Sequence, residues 1–189
     1  MADAKKSEEQ KFPSEVIDLP SKGQVYSKDS PLHSGNIEIK YMTAKEEDIL
    51  TSQNLIKKGV VIEKLLKSLI VSKDIDVDDL ILGDKNAIMV AARILAYGPE
   101  YTVEIADPIT DEKINHTFNL ADCPFKELPD DVDYSDNDFE FELPVSAIKI
   151  NFKLLTGEDE QKVDRELKAS QKFGTTTEIT TRLRHIITA

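Results

Sequence analysis

The chain has little of what builds disulfides, zinc sites and membrane spans. Among its 189 residues there is one cysteine, Cys123, which excludes an intrachain disulfide and a multi-cysteine zinc site and is expected to be a small buried hydrophobe. Apolar runs are short, and a transmembrane helix needs about 20 apolar residues. Residues 1–6 lack the apolar core of a secretory signal. We therefore expect a soluble, cytoplasmic protein without a transmembrane segment.

Motifs of the common enzyme classes are also missing. The chain has no GxxxxGK[ST] phosphate loop, no GxSxG elbow and no HExxH zinc motif. Its histidines, His33, His116 and His185, fall on different predicted elements. Residues 131–142 follow the oxygen spacing of an EF-hand loop, but Asp136 stands where that motif needs glycine. We expect no catalytic residue, no cofactor and no metal site.

Negative charge is present in excess and is concentrated in one segment. The net charge is −12, and residues 104–142 alone carry 13 Asp/Glu against 2 Lys/Arg, a net −11. Such a surface repels nucleic acid, whose binding depends on neutralising phosphates. It favours a basic protein partner. A solvated loop that keeps the protein soluble is the alternative.

A layer of helices is predicted over about residues 43–97. Thr43 and Glu46 form a capping box at the start of the first helix. Asp84 is expected to be the N-cap of the last one, which Gly98 and Pro99 end. The apolar spacing predicts helices at 43–58, 60–71 and 85–97.

The hydrophobic period changes from 3.6 to two after Pro99. Alternation predicts strands that form a mostly antiparallel sheet over about residues 101–153, including a hairpin at 101–120. A further strand is expected at 37–41. Helices followed by strands indicate an α+β fold.

The C-terminal part returns to helical patterning. Thr156 is the expected N-cap of an amphipathic helix that reaches Phe173, and Gly174–Thr177 breaks it. A last helix ends on apolar residues without a cap, so we expect 179–189 to make few contacts with the rest of the monomer. The expected organisation is a disordered tail at 1–11, a core α+β domain at 12–155 and a C-terminal helical extension at 156–189.

The order of several short motifs resembles a known family. LPSKGxxY at 19–26 precedes a Gly-led strand and MTAKEE at 42–47, and later come VIEKLL at 61–66, GDK at 83–85 and AYGxxY at 96–101. This ordered set resembles the baseplate hub assembly protein family of T4-like contractile-tailed phages. The resemblance covers about residues 19–101 well and the rest of the chain more loosely.

The resemblance implies a non-enzymatic tail protein without catalytic residues. It would assist virion assembly as a late protein, either as a hub component or as an assembly chaperone that binds a hub or tape-measure protein. It would act in the host cytoplasm and in the tail baseplate. The alternative hypothesis is a small metal-dependent hydrolase with a site built from carboxylates.

Two stretches are candidates for binding a partner. The 19–26 loop is expected to be ordered; its default role is to pin the following strand, and docking a partner is the alternative. The last helix carries a narrow apolar stripe bordered by charged side chains. The candidate partner-binding residues are Leu19, Pro20, Lys22, Tyr26, Ile179, Leu183 and Ile186.

Overall fold

A computed structural model describes residues 12–171 and 177–189. The expected disordered tail at 1–11 lies outside these residues. The expected helix break at 174–177 also lies outside them, except for Thr177. The fold is α+β, which confirms the prediction. The strands are β1 (Ser14–Asp18), β2 (Asn36–Lys40), β3 (Glu100–Ala106), β4 (Lys113–Asn119), β5 (Phe139–Glu142) and β6 (Lys149–Phe152). The helices are α1 (Ala44–Thr51), α2 (Gln53–Lys58), α3 (Val61–Leu69), α4 (Leu82–Tyr97), α5 (Gly157–Gln171) and α6 (Glu178–Ile186).

The core lies between the β1–β2 pair and helices α3 and α4. Strand β1, which the sequence analysis missed, pairs antiparallel with β2 from Ser14 opposite Lys40 to Asp18 opposite Asn36. Alternate residues of β2 point inward, because successive side chains of a strand face opposite sides. The buried apolar cluster consists of Leu19, Leu32, Ile37, Ile39, Leu65, Leu66, Leu69, Ile70, Val77, Leu80, Ile88 and Ala92.

The predicted first helix is broken at Ser52, whose ψ of 105° is extended, so α1 and α2 are separate. The capping box is confirmed, since the carboxylate of Glu46 accepts hydrogen bonds from the backbone N–H and the hydroxyl of Thr43. Glu46 is fully buried and also accepts from Lys40 Nζ at 2.8 Å and Ser68 Oγ at 2.6 Å. Burial opposes ionisation, but these hydrogen bonds outweigh it and lower the pKa of Glu46 to about 2. One carboxylate thus ties α1 to β2 and α3.

Helix α4 begins three residues earlier than predicted. Its N-cap is Ile81, so Asp84 lies inside the first turn and the prediction that Asp84 is the N-cap was wrong. One side of the helix is fully buried, at Asp84, Ile88 and Ala92. The shift turns the Asp84 side chain toward the N-terminal loop instead of toward its own backbone.

Pairing among the strands after Pro99 is antiparallel, as predicted, but the strands do not join into one sheet. β3 pairs with β4 and β5 with β6, and with β1–β2 the described residues contain three two-stranded sheets. Consecutive strands pair with each other in each of the two later sheets, and they therefore form two separate hairpins.

Helix α5 starts at the predicted cap. The Thr156 hydroxyl accepts from the Asp159 N–H at 3.4 Å while the Asp159 carboxylate accepts from the Thr156 N–H at 3.3 Å. Asp159 is buried and also contacts Lys153 Nζ at 2.8 Å. Burial opposes ionisation of Asp159, but the hydrogen bonds from Lys153 and Thr156 lower its pKa. The preceding residues join the core, because Ile81 and Thr156 form an antiparallel bridge.

The prediction that residues 179–189 make few contacts was wrong. Arg182 Nη1 donates to Glu160 Oε1 at 2.5 Å, and His185 Nε2 lies 3.0 Å from Glu166 Oε1, which fixes α6 on α5. The residues after α6 extend along β6: Thr188 N–H donates to the Asn151 carbonyl at 2.9 Å. The apolar end of the helix is therefore paired with a strand.

Candidate interaction surfaces

The 19–26 loop is fastened to the start of α4 by a buried network around Asp84. Asp84 is fully buried; its carboxylate accepts from Ser21 N–H at 3.0 Å, Ser21 Oγ at 2.6 Å and Tyr26 OH at 2.6 Å. The Tyr26 hydroxyl accepts in turn from the Ile81 N–H at 3.2 Å. Burial of the hydroxyl, followed by its hydrogen bond to Asp84, raises the pKa of Tyr26 above its ordinary value. The LPSKGxxY and GDK motifs thus meet in one hydrogen-bonded joint.

Two glycines let this loop lie directly against the turn before β2. A Cβ on Gly23 would come within 2.4 Å of the His33 carbonyl oxygen, and one on Gly35 within 2.8 Å of the Lys22 carbonyl oxygen. Both glycines have a φ of 76°, which other residues adopt with strain. The Leu19 N–H also donates to the Gly35 carbonyl at 2.8 Å. The loop therefore pins the entry to β2, in agreement with its default role.

The four candidate residues of this loop differ in accessibility. Leu19 is buried in the core, Pro20 and Tyr26 are half-buried, and Lys22 is exposed. Pro20 and Lys22 line a surface cavity of about 350 Å³ with Phe125 from the acidic segment. A partner-docking role for the loop stays a prediction, and it now concerns the surface around Pro20 and Lys22.

An apolar groove runs beside this loop, between α4 and residues 120–125. It has a volume of about 350 Å³, with Val90 and Ile94 on the helix side and Cys123 and Phe125 opposite. Cys123 is an exposed free thiol, so its expected burial was wrong. The segment that follows the hairpin leaves this thiol at the groove instead of in the core.

The apolar stripe of α6 faces solvent while its polar side contacts α5. Ile179 is 77% exposed and Leu183 47% exposed, one helical turn apart. Ile186 is half-buried, and its carbonyl accepts from the Lys153 N–H at 2.9 Å. The structure places Ile179 and Leu183 on one accessible surface and Ile186 at its margin; their role in binding a partner stays a prediction.

The β3–β4 hairpin carries an apolar surface that the sequence analysis did not select. Its register places Tyr101 opposite Phe118, Val103 opposite His116 and Ile105 opposite Ile114. Directly opposed residues share a face of a sheet, so these six side chains form one surface, which we call the hairpin face. Tyr101, Ile105, Ile114 and Phe118 are 38–46% exposed. The alternation of apolar and polar residues in both strands was the sequence signal from which this face could have been identified.

The carboxylates of the described residues do not build a metal site, although Glu63, Asp76 and Asp78 meet at Lys67 Nζ at 3.2–3.4 Å. Residues 12–171 and 177–189 contain no group of three or more His, Cys, Asp or Glu side chains that could hold a metal ion. The buried acids Glu46, Asp84 and Asp159 belong to three networks that share no partner, and each accepts hydrogen bonds from its neighbours. These acids have structural roles, at joints of the fold.

The helices of residues 12–171 and 177–189 include none that is long and apolar enough to cross a membrane. The described surface carries exposed apolar patches, which in folded proteins commonly mark sites of interaction with other proteins. The family model described as T4 bacteriophage base plate protein matches residues 14–184, and the chain belongs to this family. Neither a curated protein nor a solved structure matches the chain.

Proposed function

We propose that this baseplate protein is a non-enzymatic factor in assembly of the baseplate hub. It acts as a hub component or as an assembly chaperone that binds a hub or tape-measure protein, and it does so in the host cytoplasm. Membership of the baseplate family supports this proposal. The observation that carries it further is the exposed apolar stripe of α6, which the fold holds in place from its polar side.

A partner surface needs large apolar side chains that are ordered before binding, because ordering them on binding would lower the affinity. Helix α6 meets this requirement: the ion pair between Arg182 and Glu160 and the contact of His185 with Glu166 fix its inner side. Ile179 and Leu183 consequently project from a fixed helix. Arg184, 70% exposed, lies beside the stripe and forms a long ion pair with Glu166, whose Oε2 is 3.9 Å from Nη1.

Affinity capture of the tagged protein from infected cells tests the proposal. We expect hub or tape-measure proteins to be recovered with it, and comparison with purified tails separates the two forms of the proposal. Presence in finished tails makes the protein a hub component, and absence makes it a chaperone. Recovery of neither hub nor tape-measure protein would contradict both.

A variant pair connects the capture to α6. Ile179→Ser with Leu183→Ser should reduce recovery of the partner, whereas Val145→Ser, at a side chain that is 98% exposed in the β5–β6 turn, should not. Both changes affect exposed positions, so melting temperatures should stay close to that of the wild type. Equal recovery with both variants would remove α6 from the interface.

A further inference from the structure

We propose that the hairpin face is the docking site for an extended segment of a baseplate partner that carries lysine or arginine next to alternating apolar side chains. The inference rests on the proposed function, because it assigns a surface and a chemistry to the partner of that function. Three features of the hairpin lead to it: an open apolar face, negative charge around that face, and unpaired strand edges.

The hairpin is held at its base and open beyond it. Arg93 donates to the carbonyls of Gly98 and Glu100 at 3.2 and 3.4 Å, and its guanidinium lies 4.8 Å from the centre of the Tyr97 ring. The Leu120 N–H donates to the Pro99 carbonyl at 2.9 Å. Each strand then runs for seven residues. A two-stranded hairpin is only marginally stable alone in water, so covering its apolar face would stabilise it.

Charge around the face selects the chemistry of the partner. The acidic residues on and near the hairpin tip are Glu104, Asp111 and Glu112, which are exposed, and Asp107, which is half-buried. Near the tip the basic side chain is that of Lys113, and its Nζ is already 2.7 Å from Glu104 Oε1. At the base, the Arg93 guanidinium lies 5.7 Å from the centre of the Tyr101 ring. The hairpin therefore presents net negative charge beside apolar side chains. A segment with lysine or arginine is attracted, and an acidic segment is repelled.

The edges of the hairpin indicate an extended occupant. Among the described strands, β3 and β4 pair only with each other, so the outer edge of each has backbone groups that a further strand can use. A segment added at an edge gains main-chain hydrogen bonds and places every second side chain on the hairpin face. The same geometry leaves its remaining side chains on the opposite face, where Glu104 lies.

The test uses synthetic 15-residue peptides that tile the hub and tape-measure proteins of the same phage. Their binding to the full chain is measured by fluorescence polarisation. We expect the binding peptides to combine alternating apolar residues with lysine or arginine, and to bind more weakly as salt is raised. Hydrogen exchange should slow in residues 100–119 of the wild type when such a peptide binds.

Paired variants on the two faces of the hairpin locate the site. Tyr101→Ser with Phe118→Ser, a directly opposed pair on the hairpin face, should weaken peptide binding by roughly 30-fold or more, as loss of an aromatic hot spot does. Thr102→Ser with Thr117→Ser, the neighbouring pair on the opposite face, should leave binding within about threefold of the wild type. Hydrogen exchange of the unbound variants shows whether the hairpin is still formed.

Several results would overturn the inference. The wild type and the variant with Tyr101→Ser and Phe118→Ser could bind the peptides equally well, or the peptides that bind could be acidic. Peptide binding could slow hydrogen exchange only outside residues 100–119, or none of the peptides could bind. Sedimentation showing a homodimer that the same variant dissociates would assign the face to a second copy. In each case the proposed function stands if capture from infected cells still recovers hub or tape-measure protein, and it fails separately if capture recovers neither.

Discussion

Replacing Tyr26 by phenylalanine removes one hydroxyl from the joint between the 19–26 loop and α4. The hydroxyl donates to the Asp84 carboxylate at 2.6 Å and accepts from the Ile81 N–H at 3.2 Å. A hydrogen bond to a charged group contributes about 1.5–3 kcal/mol, and a buried N–H left without an acceptor costs about 1–3 kcal/mol. Because the two effects share one atom and need not add, we expect a loss of about 3 kcal/mol in the free energy of unfolding. For a chain of this size the melting temperature should fall by roughly 6–12 °C.

Urea unfolding followed by circular dichroism measures this loss, and Tyr134→Phe is the matched control. The Tyr134 hydroxyl donates to the Pro129 carbonyl at 3.2 Å at the surface, so its removal should change stability by at most about 0.5 kcal/mol. Similar small losses in both variants would refute the idea that the Asp84 network holds the loop. If Tyr26→Phe instead abolished partner capture while leaving stability intact, the loop would be a docking surface.

The remaining predictions concern Glu46, Gly23 and α6. The folded-state pKa of Glu46, about 2, lies below the ordinary value of 4.5. Its ionisation therefore contributes about 3 kcal/mol of stability above about pH 4.5, and this contribution is lost as the pH falls toward 2. In urea unfolding, Glu46→Gln should be least destabilising at the acid end of the pH range, and a pH-independent difference would contradict the assignment. Gly23→Ala should destabilise by more than about 3 kcal/mol, because its Cβ would collide with a backbone carbonyl. Gly59→Ala, with a φ of 72° and only the Lys168 side chain in van der Waals contact at 3.9 Å, should cost about 1–2 kcal/mol in the same assay. Equal losses would mean that the loops can separate. Deleting residues 178–189 should lower the melting temperature measurably, since it removes the ion pair of Arg182 with Glu160 and the backbone pairing with β6. An unchanged melting temperature would show that these contacts contribute nothing to the stability of the fold.

Local features of the fold could be predicted from the sequence because their partners are close in the chain. The capping pair Thr43 and Glu46 is separated by three residues, as is the pair Thr156 and Asp159. Period-two alternation likewise identified the hairpin strands. In each case the side-chain pattern and the backbone conformation depend on the same few residues.

Features that depend on distant partners could not be predicted in this way. Asp84 at the start of a helical pattern predicts an N-cap, which would bond to its own helix. Its partners in the structure are Ser21 and Tyr26, which are 63 and 58 residues away in the sequence. Period two shows that a strand has an apolar face, but it does not show what covers that face. The alternation placed the hairpin strands in one larger sheet, whereas the structure leaves the hairpin as a separate sheet with an exposed apolar face.

Negative charge around the hairpin also has a consequence for the colloidal behaviour of the free protein. Two copies that approach through their hairpins bring two segments of net charge −11 together, and at low ionic strength this repulsion keeps their apolar faces apart. Added salt shortens the range of the repulsion to about 10 Å at 0.1 M and about 3 Å at 1 M. Solutions of the unbound protein should therefore become turbid as salt is raised, the opposite of what screening does to a complex with a basic partner.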